Sequence, residues 1–149
     1  MAQGEYSPYV SRVIFKILNN KTINDHMENL GGALVRGSHP VAVPYHGFVF
    51  GGLLCSEILS PHLYRDLVTK YDANILVNLS HTAWFGPSHT LFVKEKQMAR
   101  VHAVQNRTYF IQTSNGFPSF VLNPSGESIA ETKEGETTVF TVDIPIPSQ

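Results

Sequence analysis

The stretch Gly47-Phe48-Val49-Phe50-Gly51-Gly52-Leu53-Leu54-Cys55-Ser56-Glu57 decides the fold. Its first eight residues are apolar or glycine, which predicts a buried β-strand at 47–54. The strand runs into Cys55, the only cysteine of the chain, and a carboxylate follows two residues later at Glu57. A thiol at a strand end can act as a nucleophile, but a lone cysteine after an apolar run is more often packed in a core. This segment alone leaves both interpretations open.

Helices and strands are predicted to alternate on the carboxyl-terminal side of this strand. Ser60-Pro61 is a typical helix start and predicts a helix to Tyr71. A strand at 75–79 and a helix at about 91–106 follow. Four more strands, with Asn-Gly and Asn-Pro-Ser-Gly turns among them, are predicted at 108–113, 117–122, 127–132 and 138–144. This order predicts an α/β fold with layers and a mixed β-sheet.

The amino-terminal quarter has a different pattern. Apolar residues at 10, 13, 14, 17 and 18 have helical spacing and predict a helix over 9–18. Residues 19–44 are rich in Gly, Asn and His and are predicted to be mostly loop. No repeat or linker divides the 149 residues, so they are interpreted as one domain.

Composition excludes several classes of function. A net charge of -1 argues against a nucleic-acid or anionic membrane surface as partner. No apolar run reaches the roughly 20 residues of a membrane-spanning helix, and the polar start lacks a signal peptide, so we expect the chain as given to be cytoplasmic. The seven histidines are scattered without ligand spacing, and we predict no metal site and no cofactor. Glu95 and Arg100 are interpreted as ion-pairing residues rather than catalytic ones.

A second strand end also carries unusual residues. Asn78-Leu79-Ser80-His81-Thr82-Ala83-Trp84-Phe85-Gly86 places the only tryptophan beside a phenylalanine in a predicted loop. Two large aromatic side chains there either cap the core or form a wall of an apolar pocket. The carboxyl ends of neighbouring parallel strands meet at one edge of a sheet, so this loop is expected near Cys55.

Taken in order, five motifs resemble the nitrilase (carbon-nitrogen hydrolase) superfamily. They are Gly52-Leu53-Leu54-Cys55-Ser56-Glu57, Ile75-Leu76-Val77-Asn78-Leu79-Ser80, Ala83-Trp84-Phe85-Gly86, Gln97-Met98-Ala99-Arg100 and Asn123-Pro124-Ser125-Gly126. A further element, Gly4-Glu5-Tyr6-Ser7-Pro8, makes the chain most similar to the apolipoprotein N-acyltransferase branch.

The resemblance implies a layered α-β-β-α sandwich, of which this chain would form about the second half, and a Glu-Lys-Cys triad. It assigns the nucleophile to Cys55 and supporting acidic positions to Glu57 and Glu5. Trp84 and Phe85 match the loop beside the lipid-binding cleft. The family's triad glutamate and lysine lie upstream of the element at Gly4, so 1–149 resembles a carbon-nitrogen hydrolase domain without its first half.

Two hypotheses follow. In the first, the chain is a fragment or truncated relative of an apolipoprotein N-acyltransferase, an enzyme of the periplasmic face of the inner membrane. Its acyl donor would be a phospholipid and its acceptor the amino terminus of a lipoprotein, with a cysteine thioester between them. In the second, it is a non-catalytic or amidase-like remnant that acts, if at all, through association, since a half sandwich exposes an apolar sheet face. Without the missing glutamate and lysine we predict that this chain alone is inactive or nearly so.

Overall fold

A computed structural model describes residues 38–83, 86 and 88–145. Its six strands are β1 (Val41–Tyr45), β2 (Phe48–Leu54), β3 (Ile75–His81), β4 (Tyr109–Asn115), β5 (Phe120–Leu122) and β6 (Ser128–Glu131). Its helices are α1 (Pro61–Tyr71) and α2 (His89–Asn106), and a 3-10 helix spans Cys55–Leu59. The predicted helix over 9–18 lies outside the described residues.

The strands form one mixed sheet in the order in which they occur along the chain. β2, β3 and β4 are parallel, whereas β1, β5 and β6 join antiparallel. The predicted α/β fold with a mixed sheet is therefore confirmed. Parallel pairing brings the carboxyl ends of β2, β3 and β4 to the same edge of the sheet, and Leu54 lies beside Leu79, which lies beside Thr113.

Both helices pack on one face of the sheet. α1 begins at Pro61 after Ser60, and α2 begins after Ser88, whose hydroxyl accepts a hydrogen bond from the amide of Leu91. Each helix connects two parallel neighbours in the same direction across the sheet, and such crossovers are right-handed, so both lie on the same side. The core between helices and sheet contains Tyr64, Leu67, Leu76, Ala99, Ala103, Phe110, Phe120 and Leu122.

The opposite face of the sheet exposes apolar side chains. Gly51 faces Leu67 of α1, so the alternate residues of β2 point away from the helices. On that far face Tyr45 is 64% exposed, Leu79 49% and Leu54 41%. Self-association through this face remains a prediction.

Two sequence predictions of strands and loops are wrong. Residues 41–44, predicted to lie in a loop, belong to edge strand β1 (Val41–Tyr45), which pairs with β2 through a two-residue turn at His46 and Gly47, both with positive φ. A positive φ is uncommon outside glycine, although histidine takes it more often than most residues, and Pro44 is tolerated because it lies on an edge strand. The predicted strand at 138–144 has no regular secondary structure, and Val139 is 94% exposed. Its alternating pattern suits a strand, but a strand also needs a neighbouring strand with which to pair.

Candidate active site

Cys55 lies where β2 becomes the 3-10 helix. Its φ of 46° lies in the left-handed region. The residue is partly exposed and its thiol is free. For a residue other than glycine this conformation costs roughly 1–2 kcal/mol, so surrounding contacts must hold it. The sharp turn presents the residue at the carboxyl edge of the parallel strands, where reactive groups of α/β folds collect.

Two cavities meet at Cys55. The larger, of about 670 Å³, lies over the carboxyl ends of the parallel strands and is lined by Leu54, Cys55, Leu79, Ser80, His81, Thr113, Ser114 and Asn115. The smaller, of about 190 Å³, lies on the helix side and is mostly apolar, with Cys55, Ser56, Ile58, Leu59, Thr82, Leu91, Lys94, Glu95 and Met98 around it. A substrate in either cavity would adjoin the cysteine.

Glu57 anchors the backbone next to the cysteine. Its Oε2 accepts a hydrogen bond of 2.8 Å from the amide of Leu54, and the residue is only 3% exposed. The carboxylate thus reaches back across the first turn of the 3-10 helix, as in one half of a capping box. The family resemblance places Glu57 near the site, and the structure shows it holding the backbone amide of Leu54, the residue before Cys55.

A buried polar network reaches the other side of Cys55. Asn78 Nδ2 donates to the carbonyl oxygen of Cys55 at 3.3 Å and to Gln112 Oε1 at 3.0 Å. Gln112 Nε2 donates to Ser80 Oγ at 2.7 Å and to Glu95 Oε1 at 3.2 Å. These four side chains come from β3, β4 and α2 and converge beneath the cysteine.

Sequence reasoning missed the roles of Asn78, Gln112 and Glu95. The available signal was Asn78, a polar residue within the apolar run 75–79, and Gln112, a polar residue within the next predicted strand. Glu95 was interpreted as an ion-pairing residue, but it is 9% exposed and makes no ion pair within the described part of the chain. Its side chain points under the sheet edge, where its Oε1 accepts a hydrogen bond from Gln112.

Burial raises the pKa of the Glu95 carboxyl above its ordinary value, and a hydrogen bond with Ser80 partly opposes this. The second oxygen of Glu95 has no hydrogen-bond partner in the described structure. A buried carboxyl with one unsatisfied oxygen favours the protonated form.

Replacing Glu95 by glutamine should therefore stabilise the protein more at neutral pH than at acidic pH. A folded-state pKa above the unfolded value makes wild-type stability fall as the pH rises past the unfolded pKa, whereas Glu95→Gln does not titrate. We expect the difference in unfolding free energy between variant and wild type to grow in favour of the variant from about pH 4 to about pH 8. Urea denaturation across that range measures it, and groups common to both proteins cancel. A difference that stays constant or shrinks would contradict the prediction.

His102 fastens the 3-10 helix to α2. Its Nε2 donates to the carbonyl oxygen of Ile58 at 2.7 Å, and its ring stacks on Tyr64 with centroids 4.2 Å apart. Burial lowers the pKa of His102, and burial, followed by the charges of Glu57 and Glu95, raises the pKa of Tyr64. Both side chains are therefore neutral structural supports of the helix that carries Cys55.

The loop after β3 is tied to the turn after β4. The Thr82 hydroxyl accepts from the amide of Phe117 at 3.1 Å and shares a hydrogen bond of 2.8 Å with Ser114 Oγ. Trp84 and Phe85, predicted to line a lipid cleft, lie outside the described residues, as does Glu5. Their predicted roles are therefore untested.

The described residues hold neither a candidate metal site nor a candidate membrane span. Across 38–83, 86 and 88–145, no group of His, Cys, Asp and Glu side chains is arranged to hold a metal ion. Within those same stretches, no helix combines the length and apolar character needed to cross a membrane.

Residues 7–148 match the carbon-nitrogen hydrolase family. The chain belongs to that family. It is 26% identical over 137 residues to an apolipoprotein N-acyltransferase of Aquifex aeolicus, covering 92% of this chain and 28% of that protein. It is 34% identical over 135 residues to an apolipoprotein N-acyltransferase of Rhizobium etli, covering 90% of this chain and 24% of that protein. This carbon-nitrogen hydrolase chain thus spans about a quarter of the length of these curated relatives.

Solved structures share the fold of this carbon-nitrogen hydrolase chain. Nit3 of Saccharomyces cerevisiae, a nitrilase-superfamily member, aligns with a TM-score of 0.55 at 24% identity, covering 75% of this chain and 42% of Nit3. An amidase from Nesterenkonia sp. aligns with a TM-score of 0.57 at 16% identity, covering 71% of this chain and 42% of the amidase. At these identities the likeness shows the nitrilase-type fold alone.

Proposed function

We propose that this chain carries the nucleophile of a thiol acyltransferase related to the apolipoprotein N-acyltransferases, and that Cys55 is that nucleophile. The supporting observation is the left-handed turn that presents Cys55 between two cavities at the sheet edge. A thiol used only for packing would not need a strained backbone conformation at a cavity. Membership of the carbon-nitrogen hydrolase family and similarity to N-acyltransferases point the same way.

The reaction would proceed in two steps. The thiol of Cys55 loses its proton to a base, its sulfur attacks the acyl carbonyl of an ester, and the ester C–O bond breaks as the alcohol leaves with a proton. An amine then attacks the thioester, the C–N bond forms as the C–S bond breaks, and the proton that the amine loses returns to the sulfur as the thiol is regenerated. The donor class is a phospholipid and the acceptor is the amino terminus of a lipoprotein, at the periplasmic face of the inner membrane.

The smaller cavity supports an acyl group as the substrate part nearest the thiol. Ile58, Leu59, Leu91 and Met98 give it mostly apolar walls. The base and the cation that stabilises the oxyanion would be the family's glutamate and lysine, supplied from outside these 149 residues.

An activated acyl donor tests the nucleophile without those partners. The 149-residue chain is incubated with a p-nitrophenyl acyl ester, and labelled peptides are identified by mass spectrometry. We expect a hydroxylamine-sensitive thioester on Cys55, formed about tenfold or more faster than on an unstructured cysteine peptide. Phospholipid, whose ester is not activated, should give little or none. Cys55→Ala is the control and should lose the label.

The fate of the thioester separates acyl transfer from hydrolysis. Adding a peptide whose amino-terminal cysteine carries a diacylglyceryl group should move the acyl group to its α-amine. Release to water alone would favour the amidase-like alternative. Labelling of lysines instead of Cys55, or a Cys55 rate no greater than that of the peptide, would defeat the proposal.

A further inference from the structure

We propose that Asn78 is a positioning residue for Cys55, because its side-chain amide holds the Cys55 carbonyl and with it the left-handed turn that presents the thiol. The inference rests on the proposed function of Cys55. It adds to that function a residue that touches no substrate but determines where the nucleophile lies.

Asn78 joins the Cys55 turn to the buried polar network. It is fully buried on β3, on the sheet face that packs against the helices, and 23 residues separate it from Cys55 in sequence. Its Nδ2 donates both to the Cys55 carbonyl oxygen and to Gln112 Oε1. On the other side of the cysteine, Glu57 holds the amide of Leu54. One side chain therefore holds the carbonyl group of Cys55, and another holds the backbone amide of the preceding residue.

The orientation of the Asn78 amide is determined by its neighbours. Gln112 is 1% exposed, and its Nε2 donates to Ser80 Oγ, whose own proton is directed to the Thr113 carbonyl oxygen, and to Glu95 Oε1. Its oxygen must therefore point to Asn78, which must present its NH2 group. A flipped Asn78 would set its oxygen against the Cys55 carbonyl and Gln112 Oε1, two acceptors. Glu95, 17 residues from Gln112, thus orients the amide that holds Cys55.

A merely structural role for Asn78 predicts a different outcome from a positioning role. Leu76 provides the matched control, since it lies two residues away on the same strand and face and is also fully buried. Leu76→Ala leaves a cavity in the core without touching the Cys55 turn. Replacing Leu76 or Asn78 should lower stability in either case. Only the replacement of Asn78 should also change the rates at which Cys55 is acylated and alkylated.

The experiment measures acylation of Cys55 by the p-nitrophenyl ester in the full chain, under conditions where near-ultraviolet circular dichroism shows each variant to be folded. We expect Asn78→Ala and the isosteric Asn78→Asp to slow acylation about tenfold or more, because small displacements of a reacting group have large effects on rate. Alkylation by iodoacetamide should slow at least about threefold, since the relaxed turn no longer presents the sulfur at the cavities. Leu76→Ala should retain both rates within about twofold. Wild-type rates in a folded Asn78 variant, or an equal loss in Leu76→Ala, would overturn the inference.

The two readouts keep this inference separate from the proposed function. If wild-type Cys55 is not acylated but its alkylation still depends on Asn78, the function fails and the positioning role stands. If wild type is acylated and the Asn78 variants match it, the positioning role fails alone. Should the Asn78 variants not fold, nuclear magnetic resonance of the wild-type chain decides. The side-chain amide protons of Asn78 should exchange slowly with solvent, and exchange as fast as in an exposed asparagine would overturn the inference.

Discussion

Replacing Gly116 with alanine is expected to lower the free energy of unfolding by about 3 kcal/mol or more. Gly116 has a φ of 117°, and a Cβ there would lie 2.6 Å from the amide nitrogen and 2.8 Å from the Cα of Ala83. Both are backbone atoms, so no side chain can rotate out of the way. The contact would separate the turn after β4 from the loop after β3 that borders the smaller cavity. Urea denaturation and thermal melting measure the loss.

Substitutions at two other glycines distinguish the cost of a positive φ from the cost of the contact with Ala83. Gly135 also has a positive φ, 74°, but a Cβ there meets nothing within 4 Å, so Gly135→Ala should cost only about 1–2 kcal/mol. The φ of Gly52 is not positive and its surroundings are equally open, so Gly52→Ala should stay within about 1 kcal/mol of wild type. An effect of Gly116→Ala no larger than that of Gly135→Ala would show that the contact with Ala83 is unimportant.

Glu57→Ala is expected to cost about 2–3 kcal/mol and to slow acylation of Cys55 about tenfold or more. The alanine removes a buried carboxylate that accepts from the Leu54 amide, and leaves that amide without its acceptor. The backbone at Leu54 then loses its anchor, and the turn at Cys55 can relax. Chemical denaturation gives the first quantity and the p-nitrophenyl ester assay the second.

Glu57→Gln distinguishes anchoring from charge. Glutamine keeps an oxygen that can accept from Leu54, so we expect stability within about 1 kcal/mol and acylation within about threefold of wild type. A large loss of acylation in a stable Glu57→Gln variant would mean instead that the negative charge itself takes part. That outcome would support the acidic role that the family resemblance suggests for Glu57.

Local sequence patterns anticipated the elements that depend on neighbouring residues. Ser60-Pro61 marked the start of α1, and the apolar runs marked β2 and β3. The preference of proline for the first helical turn and the pattern of apolar residues can both be recognised within a few neighbouring residues. The failures at 41–44 and 138–144 share one cause. Whether such a segment becomes a strand depends on a free sheet edge beside it, which no local pattern records.

The sequence by itself determined that Cys55 follows a strand of an α/β sheet, and it carried the motifs that identify the carbon-nitrogen hydrolase family. Only the tertiary structure decided how the thiol is held. The left-handed turn at Cys55, and the approach of Asn78, Gln112 and Glu95 beneath it, arise from the register in which β2, β3 and β4 pair and from the packing of α2. Register and packing join residues far apart in the chain, and a one-residue slip would turn Asn78 to the other face of the sheet.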